Sequence, residues 1–155
     1  MRVGTRQTEE DADFYLDSPK VLIFNENIEE LALYAEPFEA QGFEVYKCGS
    51  VESALRCVER EDFSLALVDQ GTSEFEGHPV IRHLVRYSFP VRIILLGRGN
   101  GVECLQQASE LGAAEWLEKP VSISKINRII RDFLGNSVRE PSGEGGSGDT
   151  GPPAN

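Results

Sequence analysis

The chain has 155 residues, enough for one domain with a buried core and too few for two ordinary ones. Its net charge is −11, and residues 1–19, 20–135 and 136–155 each contain more acidic than basic side chains. Nucleic-acid binding depends on basic patches and anionic membranes repel an acidic surface, so the composition excludes both kinds of partner.

The two ends of the chain differ in composition from its centre. Residues 1–19 are acidic, without hydrophobic periodicity or the apolar segment of a signal peptide, and we expect them to be flexible. Residues 136–155 contain five Gly, three Pro and three Ser, which is typical of a disordered tail. Residues 20–135 are therefore the predicted domain.

The first elements of this domain are a buried strand and a helix. Residues 21–24 form a continuous apolar run, which favours a strand buried on both faces. Residues 28–41 have the pattern of a helix that ends at Gly42. Pro37 lies inside that segment and removes one backbone hydrogen bond, so we expect it to kink or shorten the helix.

Apolar runs and helical periodicity continue to alternate along the rest of the domain. Four more strands are predicted, at residues 43–46, 65–68, 93–96 and 113–117. Four more helices are predicted, over 51–58 with Ser50 as N-cap, over 80–85, over 100–111 ending at Gly112, and over 126–133 ending at Gly135.

Five strands, each followed by a helix, predict an α/β fold with a doubly wound parallel sheet. Right-handed crossovers place helices on both faces of such a sheet, and the expected strand order is 2-1-3-4-5. Ligands bind at the carboxyl ends of the strands. Asp69 and Lys119, which follow the third and fifth apolar runs, should therefore lie close together.

Two motifs at these strand ends carry a family resemblance. Leu-Ala-Leu-Val-Asp69 is followed eight residues later by Gly77, and the fifth strand reads Gly-Ala-Ala-Glu-Trp-Leu-Glu-Lys119-Pro120. On these motifs, residues 20–134 resemble the receiver domain of bacterial two-component response regulators, which has a flavodoxin-like fold. The resemblance implies that Asp69 accepts a phosphoryl group, that Lys119 pairs with its oxygens and that the Lys119–Pro120 bond is cis.

The resemblance also implies a Mg²⁺ site, but one acidic residue of the family is missing. The ligands that the family pattern assigns are Glu26, Asp69 and the backbone carbonyl of Gly71. Asn25 is neutral where the family has an acid, so it is expected to be a weak ligand or to act through water. Because Mg²⁺ demands oxygen ligands in octahedral geometry, we expect weaker Mg²⁺ binding than in the family.

The positions that match the family's switch also differ. Leu96 stands where the family carries Ser or Thr, and leucine cannot donate a hydrogen bond to a phosphoryl group. Trp116 matches the switch aromatic residue, with packing in the core as its alternative role. The route from phosphorylation to a change at the surface therefore lacks its first link.

Three cysteines, Cys48, Cys57 and Cys104, lie in apolar stretches without the spacing of a metal or redox motif. We expect them to be reduced, as in a cytoplasmic protein. A cytoplasmic localisation is therefore predicted.

Two functional hypotheses stay open. In the first, the domain is a protein-interaction module with weakened or absent phosphorylation switching, which binds a histidine kinase or a downstream effector through the fourth helix, fifth strand and fifth helix. In the second, Asp69 accepts a phosphoryl group from a histidine kinase with Mg²⁺. Neither makes the chain an enzyme beyond transfer to its own Asp69. A homodimer, and a longer regulator of which this chain is a fragment, also stay open.

Overall fold

The computed structural model describes residues 18–71, 77–99 and 101–138. The strands are β1 (Lys20–Phe24), β2 (Glu44–Cys48), β3 (Leu65–Asp69), β4 (Arg92–Gly97) and β5 (Glu115–Glu118). The helices are α1 (Ile28–Ala40), α2 (Val51–Arg60), α3 (Gly77–Tyr87), α4 (Gly101–Leu111) and α5 (Ile123–Val138). Residues 1–17 and 139–155, most of the two ends predicted to be flexible, lie outside the described ranges.

All five strands are parallel and lie in the order β2-β1-β3-β4-β5. The predicted order 2-1-3-4-5 and the flavodoxin-like fold are confirmed. Burial follows the sequence pattern, because every residue of the continuous apolar run in β3 is buried, whereas the alternating strand β2 lies at an edge and is partly exposed.

Alternate residues of the central strands face opposite sides of the sheet. One side packs against helices α2, α3 and α4 in a cluster that includes Phe24, Val68, Leu95, Val58, Leu84 and Ala108. Helix α1 buries Leu31, Tyr34, Ala35 and Phe38, which are not part of that cluster, and it contacts β1 and β2. Within residues up to Val121, helices therefore lie on both faces of the sheet, with α1 against β1 and β2.

Local capping explains where the first helices begin and end. The side chain of Asn27 accepts a hydrogen bond from the Glu30 N–H, and Ser50 caps α2 as predicted. Gly42 has a φ of 87°, the left-handed conformation that terminates α1. Pro37 lies inside α1, and the helix continues beyond it to Ala40.

Helix α5 belongs to a second compact unit, which begins at Ser122. Its first turn is capped by Ser122, whose hydroxyl accepts from the Lys125 N–H at 3.2 Å. The predicted stop at Gly135 was wrong, since α5 continues to Val138; glycine lowers helix propensity without forbidding a helix. Within the described residues, no helix is long and apolar enough to cross a membrane.

Candidate functional site

The carboxyl ends of the central strands meet at one edge of the sheet. Their last registered pairs are Phe24 with Val68, Asp69 with Leu96, and Gly97 with Glu118. Asn25 follows β1, Asp69 ends β3 and Lys119 follows β5, so the parallel register brings these three side chains to the same edge. This is the position at which open α/β sheets bind their ligands.

Asp69 is buried, with 5% of its surface exposed, and both of its carboxylate oxygens have partners. Oδ1 accepts a hydrogen bond from Lys119 Nζ at 2.7 Å. Oδ2 accepts from the backbone N–H of Gly71 at 3.0 Å. The predicted proximity of Asp69 and Lys119 is confirmed, and the pair is a charge-assisted hydrogen bond between two largely buried side chains.

Lys119 is fixed at both its backbone and its ammonium group. Its N–H donates to the Gly97 carbonyl at 2.8 Å, and the Lys119–Pro120 bond is cis, as the resemblance implies. Burial of the side chain acts to lower the pKa of Lys119. Hydrogen bonds to Asp69 and Glu30 oppose burial and outweigh it, so the pKa is raised and the lysine stays charged.

Glu30 is a site residue that sequence reasoning missed. It lies in the first turn of α1, and its Oε1 accepts from Lys119 Nζ at 2.8 Å and from Asn25 Nδ2 at 3.0 Å. Burial acts to raise the pKa of Glu30, but the hydrogen bonds from Lys119 and Asn25 outweigh it and lower the pKa. One signal was available: Glu30 is the third residue after the N-cap Asn27, which places it close to the carboxyl end of β1.

Asn25 and Glu26 have different environments although they are adjacent. Asn25 is 1% exposed, and its Oδ1 accepts from the Asn27 N–H at 2.9 Å while its Nδ2 donates to Glu30. Glu26 is exposed. The neutral side chain of the predicted pair is therefore the one that enters the hydrogen-bond network.

Few carboxylates are available to a divalent cation at this edge of the sheet. Among the residues that the structure describes, no group of three or more His, Cys, Asp or Glu side chains is placed to hold a metal ion. Both oxygens of Asp69 and the side-chain amide of Asn25 are occupied by protein partners. Each of these oxygens accepts a single hydrogen bond and keeps a further lone pair, so a cation at Asp69 would share the carboxylate with Lys119 and the Gly71 N–H.

The end of β4 lies directly beside Asp69 and carries no hydroxyl group. Leu96 is registered opposite Asp69 and is 1% exposed. The next residue is Gly97, and a Cβ atom there would collide with Oε1 of Gln70. Neither Leu96 nor Gly97 can therefore donate a side-chain hydrogen bond to a group attached to Asp69.

Gln70 and Gly77 shape the backbone around Asp69, and no sequence pattern singles out Gln70 as a functional residue. The Gln70 N–H donates to the Leu96 carbonyl at 2.7 Å, and its buried Oε1 has no hydrogen-bond partner within the described part of the chain. A Cβ at Gly77 would lie 2.7 Å from the backbone oxygen of Asp69. Only glycine lets α3 begin this close to the strand end.

Trp116 is partly buried against the core cluster on the α2–α4 side of the sheet. Its Nε1 is buried, and none of the described residues accepts a hydrogen bond from it. It is registered opposite Leu95 on β4. These contacts fit core packing and leave the switch role predicted for Trp116 untested.

Similarity to known proteins agrees with this geometry. Residues 21–131 match the model of the response regulator receiver domain. The chain is 24% identical over 115 residues to sporulation initiation phosphotransferase F of Bacillus subtilis, covering 74% of this chain and 93% of that protein. It is 20% identical to the transcriptional regulatory protein ZraR of Escherichia coli over 121 residues, which are 78% of this chain but 27% of that protein.

Solved structures show the same fold at low sequence identity. A CheY-like receiver domain from Methanospirillum hungatei superposes with a TM-score of 0.70 at 22% identity, covering 81% of this chain and all of that one. A response regulator from Burkholderia pseudomallei, described with a phosphorylated aspartic acid and a calcium ion, gives 0.64 at 21% identity, covering 80% and 76%. Because the family model matches well over half of the residues, the chain belongs to the response regulator receiver domain family of two-component signal transduction.

Proposed function

We propose that this receiver domain acts as a protein-interaction module whose phosphorylation switching is weakened or absent. The observation that carries the proposal is the end of β4. Leu96 lies opposite Asp69, and neither it nor Gly97 has a hydroxyl. A phosphoryl group on Asp69 would therefore find no side-chain donor on the neighbouring strand to draw the following loop towards it.

The state of Asn25 supports the same proposal. A carboxylate in this position would add negative charge for a divalent cation, whereas the Asn25 amide donates to Glu30 and has no charge. Glu26, the acid of this pair, is exposed. Mg²⁺ binding is therefore weaker than with two acids in this pair, and phosphoryl transfer that depends on the cation is slower.

Receiver domains bind histidine kinases and downstream effectors, and we propose a partner of one of these classes. The elements expected to bind it are α4, β5 and α5. With 26 acidic and 15 basic residues in the chain, the domain favours a basic partner surface. Binding would not require phosphorylation of Asp69.

The second candidate is a receiver that accepts a phosphoryl group at Asp69 from a histidine kinase with Mg²⁺. The observation that favours it is the retained pair of Asp69 and Lys119, 2.7 Å apart and largely buried. The lysine would neutralise charge on the transferring group, as phosphoryl transfer requires. Asp69 would then accept the phosphoryl group as an acyl phosphate.

One experiment separates the two candidates. The protein is incubated with Mg²⁺ and either acetyl phosphate or beryllofluoride, and intact mass and the fluorescence of its single tryptophan are recorded, with Asp69→Asn as control. An interaction module gives little mass gain and little fluorescence change. Stoichiometric phosphorylation with a fluorescence change that Asp69→Asn abolishes would overturn the first proposal in favour of the second.

A further inference from the structure

We propose that Glu30 is a built-in anionic partner of Lys119, which holds the lysine in the unmodified site and competes for it with any anion attached to Asp69. The inference deepens the proposed function and rests on it, because it names a group that weakens switching. Glu30 acts through Lys119 and is therefore a positioning residue.

The geometry places the lysine ammonium between two carboxylates. Lys119 Nζ lies 2.7 Å from Asp69 Oδ1 and 2.8 Å from Glu30 Oε1. The side chain of Lys119 is 10% exposed and that of Glu30 is 27% exposed, so water screens the second contact only in part. Lys119 is therefore already paired with two carboxylates before any group is added to Asp69.

The neutral side chain at position 25 is explained by the same contact. Glu30 Oε1 accepts from both Lys119 Nζ and Asn25 Nδ2. An aspartate at position 25 could not donate to Glu30, and two carboxylates at hydrogen-bond distance would repel each other. The amide at 25 and the acid at 30 are therefore a matched pair, in which the carboxylate lies in the first turn of α1 and the neutral group at position 25.

Competition follows from charge. An anionic group on Asp69 must draw the ammonium of Lys119 towards its own oxygens, and it also brings negative charge close to Glu30. By linkage, the factor by which an anion at Asp69 weakens the contact between Glu30 and Lys119 is also the factor by which that contact weakens anion binding. Removing the charge of Glu30 should therefore favour the anion.

The first experiment compares the wild type with Glu30→Gln. Beryllofluoride is titrated into each protein at fixed Mg²⁺, and its dissociation constant is measured by calorimetry or by fluorine NMR. We expect Glu30→Gln to bind about fivefold more tightly, the effect of losing one partly screened ion pair. The matched control is Glu29→Gln, which neutralises an exposed side chain in the same helical turn and should leave the dissociation constant unchanged.

The outcomes separate this inference from the proposed function. An unchanged dissociation constant for beryllofluoride in Glu30→Gln would overturn the inference. Weaker binding would also overturn it, because Glu30 would then help to hold the cation. If neither the wild type nor Glu30→Gln bound beryllofluoride, the proposed competition would be overturned, although the result would agree with weakened switching. Tight binding and a full fluorescence response in the wild type would contradict the proposed function, whatever Glu30→Gln does.

A second experiment tests the matched pair without any ligand. Asn25→Asp should lower the melting temperature, because it places a carboxylate against Glu30. The double variant Asn25→Asp with Glu30→Gln exchanges the acid and the amide, so the pair again has one amide donor and one carboxylate. It should recover most of the melting temperature that Asn25→Asp alone loses. A double variant whose melting temperature falls by the sum of the two single losses would overturn the pairing, since independent sites add.

Discussion

Lys119 Nζ lies 2.7 Å from Oδ1 of Asp69, although 50 residues separate the two along the chain. The contact exists because β3 and β5 are parallel and end at the same edge of the sheet, on either side of β4. Both side chains are largely buried, so their attraction is less screened than that of a surface ion pair. The pair therefore contributes to stability as well as to any chemistry at Asp69.

Replacing the lysine should be costly because it leaves two carboxylates without their cation. We expect Lys119→Met to lower the free energy of unfolding at pH 7 by about 2 kcal/mol, between the small effect of a surface pair and the loss of a fully buried one. Urea denaturation measures the change. The control is Lys125→Met, which removes an exposed lysine of α5 and should change stability by less than about 0.5 kcal/mol. A loss no larger than that of the control would contradict the prediction.

The same network predicts how stability depends on pH. The pKa of Glu30 is lowered from its ordinary value of 4.5, so its contribution is fully present above pH 4.5 and is lost as the pH falls through the folded-state pKa. The pKa of Lys119 is raised above 10.5, so its contribution is present below that pH and is lost as the pH rises through the folded-state value. The difference in unfolding free energy between wild type and Lys119→Met should therefore be constant near neutral pH and shrink in acid. A difference that grew in acid would contradict this assignment.

Gly77 gives a test of how closely α3 approaches Asp69. A Cβ there would lie 2.7 Å from the backbone oxygen of Asp69 and 3.0 Å from a Val68 methyl group, and backbone atoms cannot move aside easily. We expect Gly77→Ala to destabilise the domain by about 1–3 kcal/mol. Gly135→Ala is the matched control, because that helical glycine has open space around it and alanine there should stabilise α5 by about 0.5–1 kcal/mol. Equal effects of the two substitutions in urea denaturation would refute the close approach.

Most of the fold, and the central pair of the site, could be predicted from the sequence. The alternation of apolar runs and helical periodicity determines the order of the elements, and parallel strands must end at one edge, which brings Asp69 to Lys119. Glu30 could not be predicted in the same way. Its contact depends on the direction in which α1 leaves β1 and on the length of one side chain, and neither follows from the spacing of residues.

The sequence was also insufficient to predict the structure at residues whose type is compatible with more than one environment. Gly135 reads as a helix stop, yet α5 continues through it because glycine is only unfavourable in a helix. Gln70 reads as an ordinary polar residue after a strand, yet its side chain fills the space that Gly97 leaves. Both cases depend on neighbours that are distant in sequence or on weak energetic preferences.

The two thiols of Cys48 and Cys57 lie close enough to be joined by oxidation. Their sulfur atoms are 3.6 Å apart, both cysteines are free, and Cys48 is the more buried of the two. Burial and the adjacent Cys57 raise the pKa of Cys48 to about 12, so its thiol is seldom ionised and reacts slowly with peroxide from solution, whereas a sulfenic acid on Cys57 would be held at contact distance from it. We expect hydrogen peroxide to oxidise Cys57 first to a sulfenic acid, which Cys48 then attacks with loss of water to give a disulfide.

The measurement for this pair is thiol titration and intact mass after peroxide treatment, in a Cys104→Ser background so that only two thiols remain. The expected product has lost two hydrogen atoms and both titratable thiols. Cys57→Ser in the same background should keep its one buried thiol under the same treatment. Equal reactivity of Cys48 in the presence and absence of Cys57 would exclude the proposed order of steps.

Leu96 offers a direct test of why switching is weakened. Leu96→Thr places a hydroxyl on the residue registered opposite Asp69, where it could donate to an anion carried by that carboxylate. We expect the variant to bind beryllofluoride with Mg²⁺ more tightly than the wild type and to show a larger change in Trp116 fluorescence. It should also be less stable by about 2 kcal/mol, because the substitution removes buried apolar volume and buries a hydroxyl.

The control for this gain is Leu95→Thr, one residue earlier on the same strand. Leu95 is equally buried but belongs to the core cluster on the α2–α4 side, whereas Leu96 points to the other face of the sheet. Leu95→Thr should lose a similar amount of stability without any gain in beryllofluoride binding. If both variants gained, looser packing and not the new hydroxyl would be the cause. If neither gained, the missing donor at position 96 would not be what limits the response, and the contact between Glu30 and Lys119 would be the stronger explanation.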